Sequence, residues 1–289
     1  MKIMVLGANG MLGNAVLCYF AERTDHETVG TVRSATAIAS LPRFVQDKVM
    51  VGGSAEDGDA LIQTFQKVRP DLVINCLGIV KQRTEAKDPL YAIPVNAVLP
   101  HRLLRLCGLT GARLVHLSTD CVFKGSKGMY REEDTPDADD VYGRTKLLGE
   151  VDAPHAVTLR TSIIGHELAT AHSLIGWFLR QEGTVKGHTR AVFSGLPTVE
   201  IARIIDQHVI GNPSLRGVYH LSAEPIDKAS LLRLVATEYG KHITIEDDPS
   251  VEIDRSLDSS RFRLATGFSP ESWDELVRRM HQFHSSRMS

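Results

Sequence analysis

Tyr142 and Lys146 stand four residues apart in the segment VYGRTKLLGE, residues 141–150, and on a helix that spacing puts a phenol and an ammonium on one face. A phenol titrates near ~10, so to trade a proton with a carbonyl oxygen at neutral pH it needs a nearby cation that stabilises developing phenolate. Lys146 is placed to be that cation. Upstream, the apolar run from Val115 ends in Ser118 and Thr119, whose hydroxyls could polarise the same carbonyl. A tyrosine and a lysine at this spacing also occur on solvated helices, so the pair takes its meaning from the elements that position it.

Those elements alternate. From residue 1 to about 165, short aliphatic runs (Ile3 to Leu6, Thr28 to Val32, Lys48 to Val51, Leu72 to Cys76, Leu114 to Leu117, Val157 to Leu159) are separated by helical patterns or turns. This is the rhythm of a doubly wound α/β domain, a parallel sheet covered on both faces. Beyond residue 165 the chain turns mixed α and β. Helical stretches near Leu174 to Gln181 and Thr198 to Ile210 flank a basic, glycine-rich segment, and Gly217 to Leu221 reads as a strand. Asp227 can cap a helix running to Tyr239 with Gly240 as its stop. Ser269 and Pro270 suit the start of a last helix, whose Trp273, Leu276, Val277, Met280 and Phe283 recur at core-facing spacing.

The first strand runs into Gly7-Ala8-Asn9-Gly10-Met11-Leu12-Gly13 and then a helix. Glycines allow a tight turn and close backbone approach, while the helix N-terminus offers free N–H groups to a pyrophosphate; a plain βα turn is the alternative. The second strand ends in Arg33 and Ser34 without an acid. An acid there would bind a ribose 2′-hydroxyl, whereas Arg33 can grip a 2′-phosphate with Ser34 donating to it. NADPH is therefore favoured, with NADH left open and an ordinary surface arginine as the competing explanation.

Composition narrows the partners. With 289 residues, 33 basic and 35 acidic, the formal charge is −2, and nothing carries the electrostatic footprint of a nucleic-acid or membrane-surface binder. The four cysteines are spaced for neither a zinc site nor a disulfide framework, and no metal is expected. The N-terminus enters a strand directly, without a charged leader, which leads us to expect a cytoplasmic protein. Oligomeric state is not legible, and a homodimer stays open.

Together, the glycine turn, Thr119, Tyr142 and Lys146 resemble the extended short-chain dehydrogenase/reductase family. The segments LSTDCVF (117–123), YREED (130–134), VYGRTKLLGE (141–150) and LRTS (159–162) are similar to the dTDP-4-dehydrorhamnose reductase group. So are LPT (196–198), GVYHLS (217–222) and SLDSS (256–260), so the likeness covers nearly the whole chain. It implies a Rossmann-type domain over residues 1–165, to which segments near 190–210 return, and a smaller substrate domain over 166–289. It also implies NADPH-dependent reduction of the 4-keto group of a nucleoside-diphospho-6-deoxyhexose.

By position, the resemblance gives Thr119 the keto oxygen, Tyr142 the proton, and Lys146 the nicotinamide ribose and a lowered tyrosine pKa. Gly10, Met11 and Leu12 face the pyrophosphate, Leu77 and Gly78 lie along the cofactor, and Asp120 faces the sugar. Asn96 matches a family asparagine, and a purely structural side chain is its alternative. Lys186, Arg190 and Arg255 are candidates for the substrate diphosphate, and Lys81 and Arg83 are weaker ones, each with plain surface charge as the competing reading. Three features depart from the group: Cys121 replaces a common tyrosine, Gly53-Ser54-Ala55 replaces an acid, and the loop from Gly78 to Arg83 differs. The dehydratases of this fold carry Asp-Glu after the threonine, and Asp120-Cys121 lacks that glutamate. An epimerase, or a nucleotide-binding regulatory subunit like the branch that binds methionine adenosyltransferase, remains as an alternative.

Overall fold

Alternate residues of the first strand β1 (Lys2–Leu6) go to opposite hydrophobic cores: Ile3 and Val5 to one, Met4 and Leu6 to the other. A two-residue period feeding two cores is what a sheet buried on both faces requires. The computed structural model describes every residue except Ala55, Gln82, Arg83 and Ser289. Its main sheet is seven-stranded, with β2 (Glu27–Val32), β3 (Val49–Val51), β4 (Leu72–Asn75), β5 (Arg113–Thr119), β6 (Ala156–Thr161) and the strand Gly217–His220. The order is Gly217–His220, β6, β5, β4, β1, β2, β3, and every pairing is parallel.

All carboxyl ends therefore open along one edge. The strand order reverses between β1 and β4, and in open α/β sheets ligands settle in the crevice at such a switch point. Gly7, Arg33, Leu77 and Thr119 follow or end the strands along that edge.

β5 and β6 each run two residues beyond the apolar stretch that announces them, carrying Ser118, Thr119, Arg160 and Thr161 inside the sheet. The strand at Gly217–His220, expected in the substrate half, is instead the edge strand beside β6. The helix Thr198–Ile204, with its π-helical continuation Ile205–Ile210, also belongs to this layer, packing Ile201, Ala202 and Ile205 with Val16 and Phe20 of α1 (Met11–Arg23). The return of the chain to the first domain thus reaches past residue 210.

A second core gathers Ile175, Phe178, Val185, Phe193, Leu231, Val235, Val277 and Met280. The helix Lys228–Glu238 is capped by Asp227, whose carboxylate accepts from the Ser230 N–H at 2.9 Å. The last helix, Trp273–Met288, joins the two halves: Leu276 packs in the main core and Val277 and Met280 in the second. It begins three residues after Pro270, because Ser272 is its cap, accepting from Glu275 and Leu276. All four cysteines are free thiols. Among the described residues no helix is long and apolar enough to cross a membrane, and no group of three or more His, Cys, Asp or Glu could hold a metal ion.

Candidate active site

At the head of β1 the chain turns at Gly7, whose φ of +81° favours glycine. A Cβ on Gly13 would lie 2.1 Å from the Gly7 carbonyl oxygen, so α1 can pack on its own turn only through glycine. Gly10 precedes α1, and its N–H donates to Gly7 at 2.9 Å. The N–H groups of Met11 and Leu12 open the first helical turn, where no side chain caps the helix and no acid stands. Asn9 and Gly10 are exposed beside them. A helix N-terminus left open in this way fits the pyrophosphate of a dinucleotide.

Arg33 and Ser34 are exposed at the end of β2. Arg33 enters no ion pair among the described residues, and the Ser34 hydroxyl lies 2.9 Å from that of Thr36. Across the switch point, Leu77 and Gly78 follow β4, and a Cβ on Gly78 would sit 3.9 Å from Lys146 Nζ. The glycine turn, Arg33 and Gly78 thus lie along the carboxyl edge of the sheet, on either side of the switch point. Asn96 is structural: its side chain accepts from the Ile79 N–H at 2.9 Å and donates to the Ile79 carbonyl at 3.2 Å, which pins the loop after β4.

The candidate groups Thr119, Tyr142 and Lys146 come together where β5 ends. Thr119 begins a short 3-10 turn and accepts from the Cys121 N–H at 3.1 Å. Opposite, the helix Val141–Leu148 starts at Asp140, which accepts from the Gly143 N–H at 2.7 Å. A Cβ on Gly143 would lie 2.3 Å from the Cys121 carbonyl oxygen, so glycine after Tyr142 lets this helix close onto the turn that carries Thr119, whose own hydroxyl donates to Asp120 at 3.2 Å. Lys146 is 5 % exposed and donates to the Leu117 carbonyl at 2.7 Å.

Electrostatics corrects one expectation. The phenol of Tyr142 is raised, not lowered: burial pushes it up, Cys121 and Asp120 beside it add to that, and the nearby Thr119 hydroxyl opposes them. At neutral pH Tyr142 is therefore a protonated donor. Burial pulls the Lys146 amine down to about 8, against the opposing pull of Glu150. Burial also raises the Asp120 carboxyl, which Arg255 and hydrogen bonds partly offset, and holds the Cys121 thiol protonated at about 12.

The basic candidates separate. Arg255 reaches the site, donating to the Phe123 carbonyl at 2.8 Å and acting on Asp120. Lys186 and Arg190 do not: they pair at the surface with Asp248 and Glu252. Lys81 is held 2.6 Å from Asp140, and Arg83 lies outside the described residues. Lys228, which no motif flags, faces the site instead. Lys228 follows the short strand Ile226–Asp227 and feels the charges of Arg255, Asp120 and Cys121, which places it beside them. Burial lowers the Lys228 amine, and Asp120 and Cys121 oppose that shift.

Comparison with known proteins agrees with this geometry. A family model for the RmlD substrate binding domain matches residues 1–284. The probable low-salt glycan biosynthesis reductase Agl14 of Haloferax volcanii is 31% identical over 182 residues, 61% of this chain and 58% of that protein. Methionine adenosyltransferase 2 subunit beta of Xenopus tropicalis is 27% identical over 233 residues, 76% of this chain and 66% of that one. The chain thus spans under two thirds of the length of either curated relative. The crystal structure of a dTDP-4-dehydrorhamnose reductase from Clostridium acetobutylicum superposes with a TM-score of 0.80 at 22% identity, over 99% of this chain and 100% of that one. A second, from Bacillus anthracis in complex with NADP, gives 0.78 at 19% identity over 97% and 98%. With the family model spanning nearly its whole length and this shared fold beneath it, the chain belongs to the RmlD family of extended short-chain dehydrogenase/reductases.

Proposed function

We propose that the protein reduces the 4-keto group of a nucleoside-diphospho-6-deoxy-4-ketohexose with NADPH. The observation that carries this reading is the half-buried Tyr142 phenol, held protonated beside Thr119, with the buried Lys146 ammonium four residues on along the same helix. When bound, the reduced nicotinamide supplies the hydride that the ketone carbon accepts. Thr119 and Tyr142 donate hydrogen bonds to the ketone oxygen, and these strengthen as negative charge grows there, which is where stabilisation accelerates the step. Tyr142 then gives its proton to that oxygen. Lys146 bears the positive charge that stabilises the phenolate left behind and orients the nicotinamide ribose at Gly78.

Met11 and Leu12 hold the pyrophosphate through their N–H groups, and Arg33 with Ser34 holds the 2′-phosphate. On the substrate side Asp120 faces the sugar, and Arg255 with Lys228 supplies positive charge for the diphosphate. The test is loss of reduced-nicotinamide absorbance over a panel of nucleoside-diphospho-4-keto sugars, with NADPH and NADH compared; a sugar-nucleotide epimerase would interconvert sugars without net cofactor consumption. One specific observation favours a second reading. The likeness to methionine adenosyltransferase 2 subunit beta supports a cofactor-binding regulatory subunit without turnover, a reading that fails if the purified protein consumes NADPH.

A further inference from the structure

Glu150, four residues after Lys146, ends the same segment that carries Tyr142. Its side chain leaves the helix end and meets β5 and β6 in the interior. One carboxylate oxygen accepts from the Ser118 hydroxyl at 2.7 Å and from Arg160 Nε at 2.8 Å, and the other accepts from the second Arg160 nitrogen at 2.8 Å. The bidentate pair is closed to water, with side chains 7 % and 6 % exposed. Arg160 is held in turn by His220 at 3.2 Å and lies over the Phe123 ring at 5.4 Å. The other His220 nitrogen bonds the Tyr130 carbonyl at 2.9 Å, and burial with the Arg160 charge pulls that imidazole down to about 4, so it stays neutral.

Ser118 lies between the two β5 residues that the site uses. Its predecessor Leu117 supplies the carbonyl that holds Lys146, and its successor Thr119 carries the hydroxyl that lies beside Tyr142 and donates to Asp120. A carboxylate fixed by a buried arginine and bonded to the middle residue sets the register between the reactive strand end and the reactive helix. We propose that Glu150 is the positioning residue of the site: clamped by Arg160, it holds Ser118 and so locks Thr119 and Lys146 into one geometry with Tyr142. Its negative charge also opposes the effect of burial on the Lys146 amine. The proposal rests on Thr119, Tyr142 and Lys146 being the reactive groups. A purely structural ion pair would support folding and leave the chemistry of Lys146 alone.

Two variants of the full chain separate these roles. Ser118→Ala removes the link and keeps the ion pair; kcat falls roughly tenfold, as a small misplacement of reacting groups costs, while KM, NADPH affinity and melting temperature stay near wild type. Glu150→Gln removes the charge, and the Lys146 midpoint, followed by NMR of lysines labelled at Cε and assigned with Lys146→Arg, moves to lower pH by about one unit. Should Glu150→Gln fail to fold, the double variant Glu150→Gln/Arg160→Met carries this arm, since it leaves no orphan charge. An unmoved Lys146 midpoint, or a Ser118→Ala enzyme with wild-type kcat, overturns the proposal. Should wild type reduce no keto sugar, the proposed function fails, and the NMR midpoint still decides the role of Glu150.

Discussion

Replacing Gly13 with alanine is the sharpest perturbation of the cofactor crevice. The added Cβ would sit 2.1 Å from the Gly7 carbonyl oxygen and 2.7 Å from its carbon, whereas ordinary van der Waals contact begins near 3.4 Å. Turn and helix must part by about 1.3 Å, and because the obstacle is backbone no rotamer change relieves it. Overpacking of this kind costs about 1–3 kcal/mol, and the rigid neighbour places Gly13→Ala at about 3. If α1 moves outward, the Met11 and Leu12 N–H groups leave the pyrophosphate, and losing two hydrogen bonds to a charged group at about 1.5 kcal/mol each lowers NADPH affinity roughly a hundredfold. Gly10→Ala is the control: its Cβ would lie 3.3 Å from the same oxygen on extended backbone. That variant keeps its melting temperature and loses affinity only through the ligand-facing methyl. Calorimetric titration with NADPH alongside thermal melts measures both. A Gly13→Ala protein that melts and binds NADPH as wild type would show that the turn does not position the cofactor.

Three further outcomes follow from named groups. Arg33→Ala weakens NADPH binding roughly ten- to a hundredfold, the loss of about 1.5–3 kcal/mol of charge-assisted hydrogen bonding, and leaves NADH binding unchanged; equal loss for both cofactors contradicts the 2′-phosphate assignment. Lys146, held near about 8 by burial, loses its charge above that pH, so kcat declines on the alkaline side with a midpoint there in the wild type; a flat profile to pH 10 refutes that role. His166 is stacked 3.6 Å from the His284 ring and bonds the Tyr239 hydroxyl at 2.8 Å. Burial, with His284 and His281 beside it, lowers its imidazole to about 3. Its folded value lies below the unfolded value near ~6.5, so below neutrality the unfolded chain binds more protons and stability falls from about pH 6.5 toward 3. His166→Asn has a shallower acid loss in denaturant titrations, and an unchanged slope counts against the stacked cluster as its source.

The fold was legible wherever apolar periodicity and element coincide. β1 to β4 and the helix from Lys228 to Glu238 appear within a residue or two of expectation, because alternation and the Asp227 cap are local signals. β5 and β6 outrun their apolar runs because Thr119 and Arg160 are buried for the site's sake, and sequence gives no sign that Arg160 will find Glu150. The strand Gly217–His220 reads correctly as a strand, but four residues cannot say which sheet they join. Pro270 marks a turn as readily as a helix start, and Ser272 won the cap.

The site shows the same division. Thr119, Tyr142, Lys146 and the glycine turn lie in contiguous motifs, and the structure brings them to one edge. Partners distant in sequence were illegible: Lys186, Arg190 and Lys81 each meet a carboxylate that spacing does not reveal. Lys228 comes within the reach of the Asp120 charge across more than a hundred residues of chain, a juxtaposition only the tertiary fold supplies. The depressed tyrosine pKa failed because burial dominates the phenol, which the spacing along a helix does not reveal.

The central claim is that the Tyr142 hydroxyl protonates a sugar ketone. Its most direct test is single-turnover reduction of nucleoside-diphospho-4-keto sugars by the NADPH-loaded protein, wild type against Tyr142→Phe, with product identified by mass. The account predicts rapid turnover of at least one such sugar by wild type and a loss of roughly 10²–10⁴-fold in the variant, the range for removing a positioned acid, with NADPH affinity retained. Equal rates in the two proteins would contradict it.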